Sequence, residues 1–161
     1  MLRTIAFPFT IIFLIGFTGC QTPKEKDLQS EKMIREYLET WNTHDLDKMV
    51  SFFTDDCVYE NLARGQTYRG KEEIKAWAKM SFDAIPDFKL DVTSLFVSGD
   101  WAACEWVMTG TQTGSAPDLP ATGKSFSVRG STIVQLREGK IARNTDYWDM
   151  ATFLRQLGVV K

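Results

Sequence analysis

The spacing of apolar residues changes period once, at Pro86, and that change limits what the chain can fold into. Before it, Ile34, Tyr37, Leu38 and Trp41 recur at the i, i+3, i+4, i+7 spacing of an amphipathic helix. The polar run Asn42-Thr43-His44-Asp45 interrupts this stripe. Asp45 then reads as the N-cap of a second helix with Leu46, Met49, Val50 and Phe53 on one face. Asp55-Asp56 is read as a turn into a short strand over 57–61, and Gly70 precedes a third helix striped by Ile74, Trp77, Ala78 and Ser81. After Pro86, Phe88, Leu90 and Val92 alternate with polar residues, as a half-buried strand requires. Ser98-Gly99-Asp100 reads as a hairpin turn into a strand over 101–111. A loop over 112–124, with Pro117 and Pro120, leads to a strand over 125–136. Glu138-Gly139 then turns the chain into a strand over 140–148. Asp149 is expected to cap a last helix over 150–157, stopped by Gly158. Helices followed by an antiparallel meander define an α+β domain, its helices covering one face of a curved sheet.

A second feature lies ahead of the first helix. Met1 to Thr4 carries one charge, Arg3, and residues 5–17 are apolar apart from Thr10 and Gly16. Such a stretch, as a helix, spans roughly 20 Å, short of the ~30 Å hydrocarbon core of a bilayer. A charged start, a short apolar core and small residues before a cleavage point read as an export signal over 1–19. Phe17-Thr18-Gly19-Cys20 resembles the lipobox of bacterial lipoproteins, with Phe17 in place of the usual Leu. The resemblance implies cleavage before Cys20, a lipid such as palmitate on its thiol, and tethering in the bacterial cell envelope. Residues 20–27 then read as a flexible polar linker and 28–161 as the domain.

The leader leaves roughly 140 residues, one domain's worth and enough to bury a core without a disulfide or metal. The whole chain has a formal charge of −2, and Arg3 is the only charge in the leader, so the remainder is slightly more acidic. With no basic cluster, nucleic acid is not an expected partner. One His and no paired Cys/His spacing exclude an expected zinc site, and no residue cluster calls for a metal or organic cofactor. Cys57 and Cys104 sit in strand-like segments, where an exported chain admits either a disulfide or two buried thiols.

The order of these elements resembles the NTF2-like superfamily, and within it the SnoaL-like polyketide cyclase and ketosteroid isomerase group. The residues that carry the resemblance are Trp41-Asn42-x-His44-Asp45, Asp55-Asp56, Gly70-Lys71-Glu72, Gly139-Lys140-Ile141, Asp146-Tyr147-Trp148-Asp149 and Gln156-Leu157-Gly158. It implies a cone of bent sheet and helices whose open end is an apolar pocket. Tyr37 falls where isomerases of the group place an oxyanion-donating phenol. Asn61 replaces their carboxylate base, and Thr132 their second acid donor. Asp146 matches the cyclase acid/base, but the His that accompanies it in cyclases is again Thr132, which cannot titrate.

Asp146 alternates with Tyr147 along its strand. Facing the cone it would be a general acid/base with a raised pKa; facing out it would be merely solvated. Tyr37, Trp41, Asn61, Trp106, Thr132 and Trp148 are the expected ligand-binding residues. Trp106 is expected inward and Glu105 outward, because an unpaired buried Glu is costly. His44 is expected to face water. Arg129 and Arg143 are sheet cations that could meet a neighbouring subunit, and the resemblance implies a possible homodimer. Two functions follow. The absence of titratable partners at 61 and 132 favours a lipid-anchored module that binds a small apolar ligand or serves an accessory role. The alternative is a cofactor-independent cyclase or isomerase acting on a small carbonyl-bearing apolar substrate through Asp146.

Overall fold

The computed structural model describes residues 22–116 and 119–161; the leader, Cys20 and Pro117 lie outside the described residues. Helix α1 (Pro23–Thr43) begins with a capping box, Thr22 Oγ1 accepting from the Glu25 amide while the Glu25 carboxylate accepts from the Thr22 amide. This corrects the expected linker over 20–27, which from Pro23 onward is helical: Pro at the first helical position and a reciprocal cap outweigh the polar composition. Helix α2 (Leu46–Ser51) is capped by Asp45, whose carboxylate accepts from the Lys48 amide.

Phe53, expected on that helix, instead opens strand β1 (Phe53–Asn61). Asp55 and Asp56 are not a turn. They are two consecutive exposed positions within β1, where the register against its neighbour shifts between Phe53 and Val58. A short 3-10 turn, Leu62–Arg64, leads to β2 (Gln66–Arg69), which folds back antiparallel on β1. Helix α3 (Gly70–Ala84) follows, then β3 (Lys89–Ser98), β4 (Trp101–Thr111), β5 (Ser125–Arg137), β6 (Lys140–Trp148) and α4 (Met150–Gln156). Asp149 caps α4 as expected, accepting from the Thr152 amide at 2.8 Å.

Strand order is β2-β1-β6-β5-β4-β3. Strands β3 to β6 form the expected meander, but β1 joins it parallel to β6, so the sheet is mixed rather than wholly antiparallel. A single-strand periodicity carries no information on this pairing, because the β1–β6 partners are over eighty residues apart in sequence. The loop over 112–124 folds around buried Gln112, whose Nε2 donates to the Gly114 and Pro120 carbonyls at 3.0 Å each. His44 does not simply face water. It adopts the left-handed conformation that ends α1, stacks on Phe82 with ring centroids 4.1 Å apart, and places Nε2 3.2 Å from the Phe88 carbonyl oxygen. Cys57 and Cys104 are both buried free thiols, the latter pushed up by burial to about 11.

Candidate active site

Ladder register, rather than sequence proximity, gathers the candidate residues. Asn61 on β1 is the partner of Asp146 on β6, Asp146 of Thr132 on β5, and Thr132 of Cys104 on β4. These four therefore form one row across the sheet, on the face that α1 and α3 cover. One step along, Tyr59 partners Asn144. A residue two places away on a strand returns to the same face, so Tyr59 joins Asn61 and Asn144 joins Asp146.

Three side chains bond the Asp146 carboxylate, and all are neutral. Thr132 Oγ1 donates to Oδ1 at 2.7 Å, Asn144 Nδ2 to the same oxygen at 2.9 Å, and the Tyr59 hydroxyl to Oδ2. Behind these donors, Trp106 Nε1 donates to Thr132 Oγ1 at 2.8 Å and the Tyr37 hydroxyl to Asn144 Oδ1 at 3.3 Å. No Lys, Arg or His among the described residues bonds the carboxylate. Only 8% of Asp146 is exposed. Burial holds its carboxyl above the usual carboxylate value, although the Tyr59, Thr132 and Asn144 bonds pull the other way. An ionised carboxyl has about four lone-pair positions; the three donors leave one, on Oδ2, for a proton. Tyr37 and Tyr59 are pushed well above the usual phenol value by their own burial first and by the Asp146 charge second, so both remain donors.

The row opens onto a cavity of about 90 Å³ walled mainly by apolar and aromatic side chains. Every expected site residue, Tyr37, Trp41, Asn61, Trp106, Thr132, Asp146 and Trp148, lines it. Trp106 is inward and Glu105 exposed, as their alternation implies. Tyr37, however, does not offer its hydroxyl to the cavity, since that group is directed at Asn144. It supports the carboxylate through a second residue. Asn61 Oδ1 accepts from Trp148 Nε1 at 2.9 Å and from the Arg64 amide at 3.2 Å, leaving its Nδ2 outside those two bonds. Gly130 makes room for the Trp106 indole: a Cβ there would stand 2.2 Å from Cη2.

Sequence reasoning missed Tyr59 and Asn144. The signal for both was the two-residue step from Asn61 and from Asp146 along their strands. Among the described residues no group of three His, Cys, Asp or Glu stands together as metal ligands.

A bent mixed sheet closed by helices around this cavity is the NTF2-like, ketosteroid isomerase-like architecture. A candidate SnoaL-like polyketide cyclase from a Jannaschia species superposes with a TM-score of 0.78 at 19% identity, covering 88% of this chain and 99% of that one. A protein of ketosteroid isomerase-like fold from Catenulispora acidiphila gives 0.70 at 24% identity, covering 79% and 92%. Residues 31–157 match the SnoaL-like polyketide cyclase family, and the chain belongs to that family. It is 26% identical over 130 residues to aklanonic acid methyl ester cyclase DauD of a Streptomyces species, covering 78% of this chain and 80% of the relative. Over 132 residues it is 28% identical to cyclase aurE of Calcarisporium arbuscula, covering 81% and 92%.

Proposed function

We propose that the domain catalyses a cofactor-independent, intramolecular aldol-type ring closure on a small carbonyl compound, with Asp146 as general acid/base. One observation carries this reading: the Asp146 carboxyl group sits at the wall of an apolar cavity, held by three neutral donors and by no cation among the described residues. A carboxylate placed only for stability would be expected to have a cationic partner or free access to water. Family membership and the similarity to named cyclases favour closure over simple ligand binding.

In the proposed step, Oδ2 of Asp146 takes a proton from a carbon next to a carbonyl, and the electrons of that C–H bond become the enolate. The enolate carbon attacks a second carbonyl carbon of the same molecule, forming one C–C bond and an alkoxide. Asp146 returns its proton to that alkoxide, so the product is an isomer of the substrate and no co-reactant is needed. Asn61 Nδ2 is the donor available to the enolate oxygen, and the apolar walls keep water from quenching the intermediate. Thr132 holds the carboxylate in place and takes no part in proton transfer, which assigns to Asp146 alone the work that a carboxylate and a His would share.

Incubation with a small diketone, heptane-2,6-dione, in heavy water tests the reading. The expected result is ring closure, or deuterium incorporation beside a carbonyl faster than in buffer, with Asp146→Asn slower by about 10² to 10⁴. Neither reaction above the buffer rate, or equal rates in Asp146→Asn, would leave only a ligand-binding module. We further propose that Cys20 carries the lipid that tethers the chain in the envelope. Metabolic labelling with palmitate should mark the wild type and not Cys20→Ala.

A further inference from the structure

We propose that the ligand of this cavity carries a carboxylate and that Arg64 is the group that binds it. The inference rests on the reading of the cavity as a substrate site and adds the polar end of the substrate. Arg64 ends the 3-10 turn that follows Asn61, and the Asn61 side chain accepts its backbone amide, so the row that holds Asp146 also fixes where Arg64 stands. Gly65, in the left-handed conformation at φ 63°, turns the chain away immediately afterwards.

Arg64 lines two spaces at once. One is the Asp146 cavity; the other is an adjoining recess of about 70 Å³. Trp77, Ser81, Ile85 and Phe153 also border both, which puts Arg64 at their junction, and its charge acts on Tyr68, which borders the recess. Among the described residues that line the two spaces, Asp146 and Arg64 are the only Asp, Glu, Lys or Arg. Their roles differ. The Asp146 carboxylate has three donors, whereas Arg64, a half-buried residue, has no carboxylate partner among the described residues. By contrast, Lys71 on α3, Arg137 on β5 and Arg143 on β6 are each paired with an acid.

A planar guanidinium at the edge of an apolar space matches a carboxylate in shape and charge, and partial withdrawal from water strengthens the pair. The ligand so defined has an anionic head at Arg64, a flat apolar body along Trp77 and Ile85, and a reacting carbon toward Asp146. The two spaces together are on the scale of the roughly 150 Å³ apolar cavity that accepts benzene, so a one-ring acid is the appropriate probe.

Phenylacetate and methyl phenylacetate differ only in that head. Titrating each into the purified chain and following the fluorescence of the cavity tryptophans should show the acid binding about tenfold more tightly than the ester. Arg64→Gln should bring the two within about twofold while ester binding persists, which shows that the variant is folded, and Arg64→Lys should restore part of the preference. Asp146→Asn should keep the preference for the acid. Equal binding of acid and ester by the wild type, a preference that survives Arg64→Gln, or no binding of phenylacetate would overturn the assignment. If the proton-exchange test fails while this preference holds, Arg64 serves a binding module; if exchange succeeds without the preference, only the Arg64 assignment falls.

Discussion

Thr132 and Ile133 on β5, and Asp146 and Tyr147 on β6, are chain neighbours that face opposite environments. Thr132 and Asp146 are buried on the helix-covered face and bonded to each other. Ile133 and Tyr147 are 38% and 46% exposed on the other face, in a depression with Trp101 and Arg143. On the inner face Tyr59, Thr132 and Asn144 each bond the carboxylate, so removing one leaves a buried oxygen short of a donor. On the outer face the Arg143 side chain of the Arg143–Glu60 pair is 51% exposed, so it can be rehydrated when the pair is broken. One set of backbone hydrogen bonds thus supports two surfaces with different tolerance for change.

The sharpest way to break this comparison is to substitute adjacent residues. Asp146→Asn is expected to lower proton exchange by the 10² to 10⁴ given above, while Tyr147→Phe changes it less than about twofold. Comparable losses would mean that the outer face belongs to the site. The pH dependence sharpens the same contrast. Asp146 must be ionised to act as a base, so activity rises through its raised pKa and the acid limb lies above the ordinary carboxylate value. Stability runs in the opposite sense. A folded-state value above the unfolded one gives a contribution fully present below the unfolded value and lost as pH rises through the folded one. Wild type should therefore lose stability relative to Asp146→Asn over that interval, measured by urea denaturation across pH.

Gly130→Ala sets a methyl group 2.2 Å from the Trp106 ring. The expected cost is about 1–3 kcal/mol, accompanied by a change in tryptophan emission as the indole leaves Thr132. Thr132→Val removes one donor to Asp146 and the acceptor of Trp106 Nε1, an expected loss of about 1–3 kcal/mol in denaturant titration. The smallest effect is predicted outside: Arg143→Ala should cost less than about 1 kcal/mol, and less again at high salt.

The inner face was partly legible in the sequence. The alternation at Glu105 and Trp106 fixed which side was buried, because one residue was a carboxylate and the other an indole. At Asp146 and Tyr147 alternation left two options, since a Tyr can be buried as readily as an Asp with partners. What decides between them is the row formed by Asn61, Asp146 and Thr132, which depends on the register of three strands. Tyr59 and Asn144 escaped notice for the same reason: each lies on a strand whose partner is remote in sequence. The helix caps at Asp45 and Asp149 are legible in the sequence because their signal is local. The start of α1 has a local signal too, since Thr22, Pro23 and Glu25 together form a helix start, but the polar composition around it masks that signal.

The parallel seam between β1 and β6 has a consequence for how the protein is made. The first strand synthesised must wait for the last before its inner edge is covered. At the end of that interval β5, once made, also lacks its second neighbour. A nascent or truncated chain ending before residue 140 therefore carries two bare strand margins beside an aromatic-rich surface, a combination that invites intermolecular pairing. Shielding by a chaperone matters most for this protein just before synthesis ends, and premature termination late in the message should yield aggregates rather than a smaller folded unit.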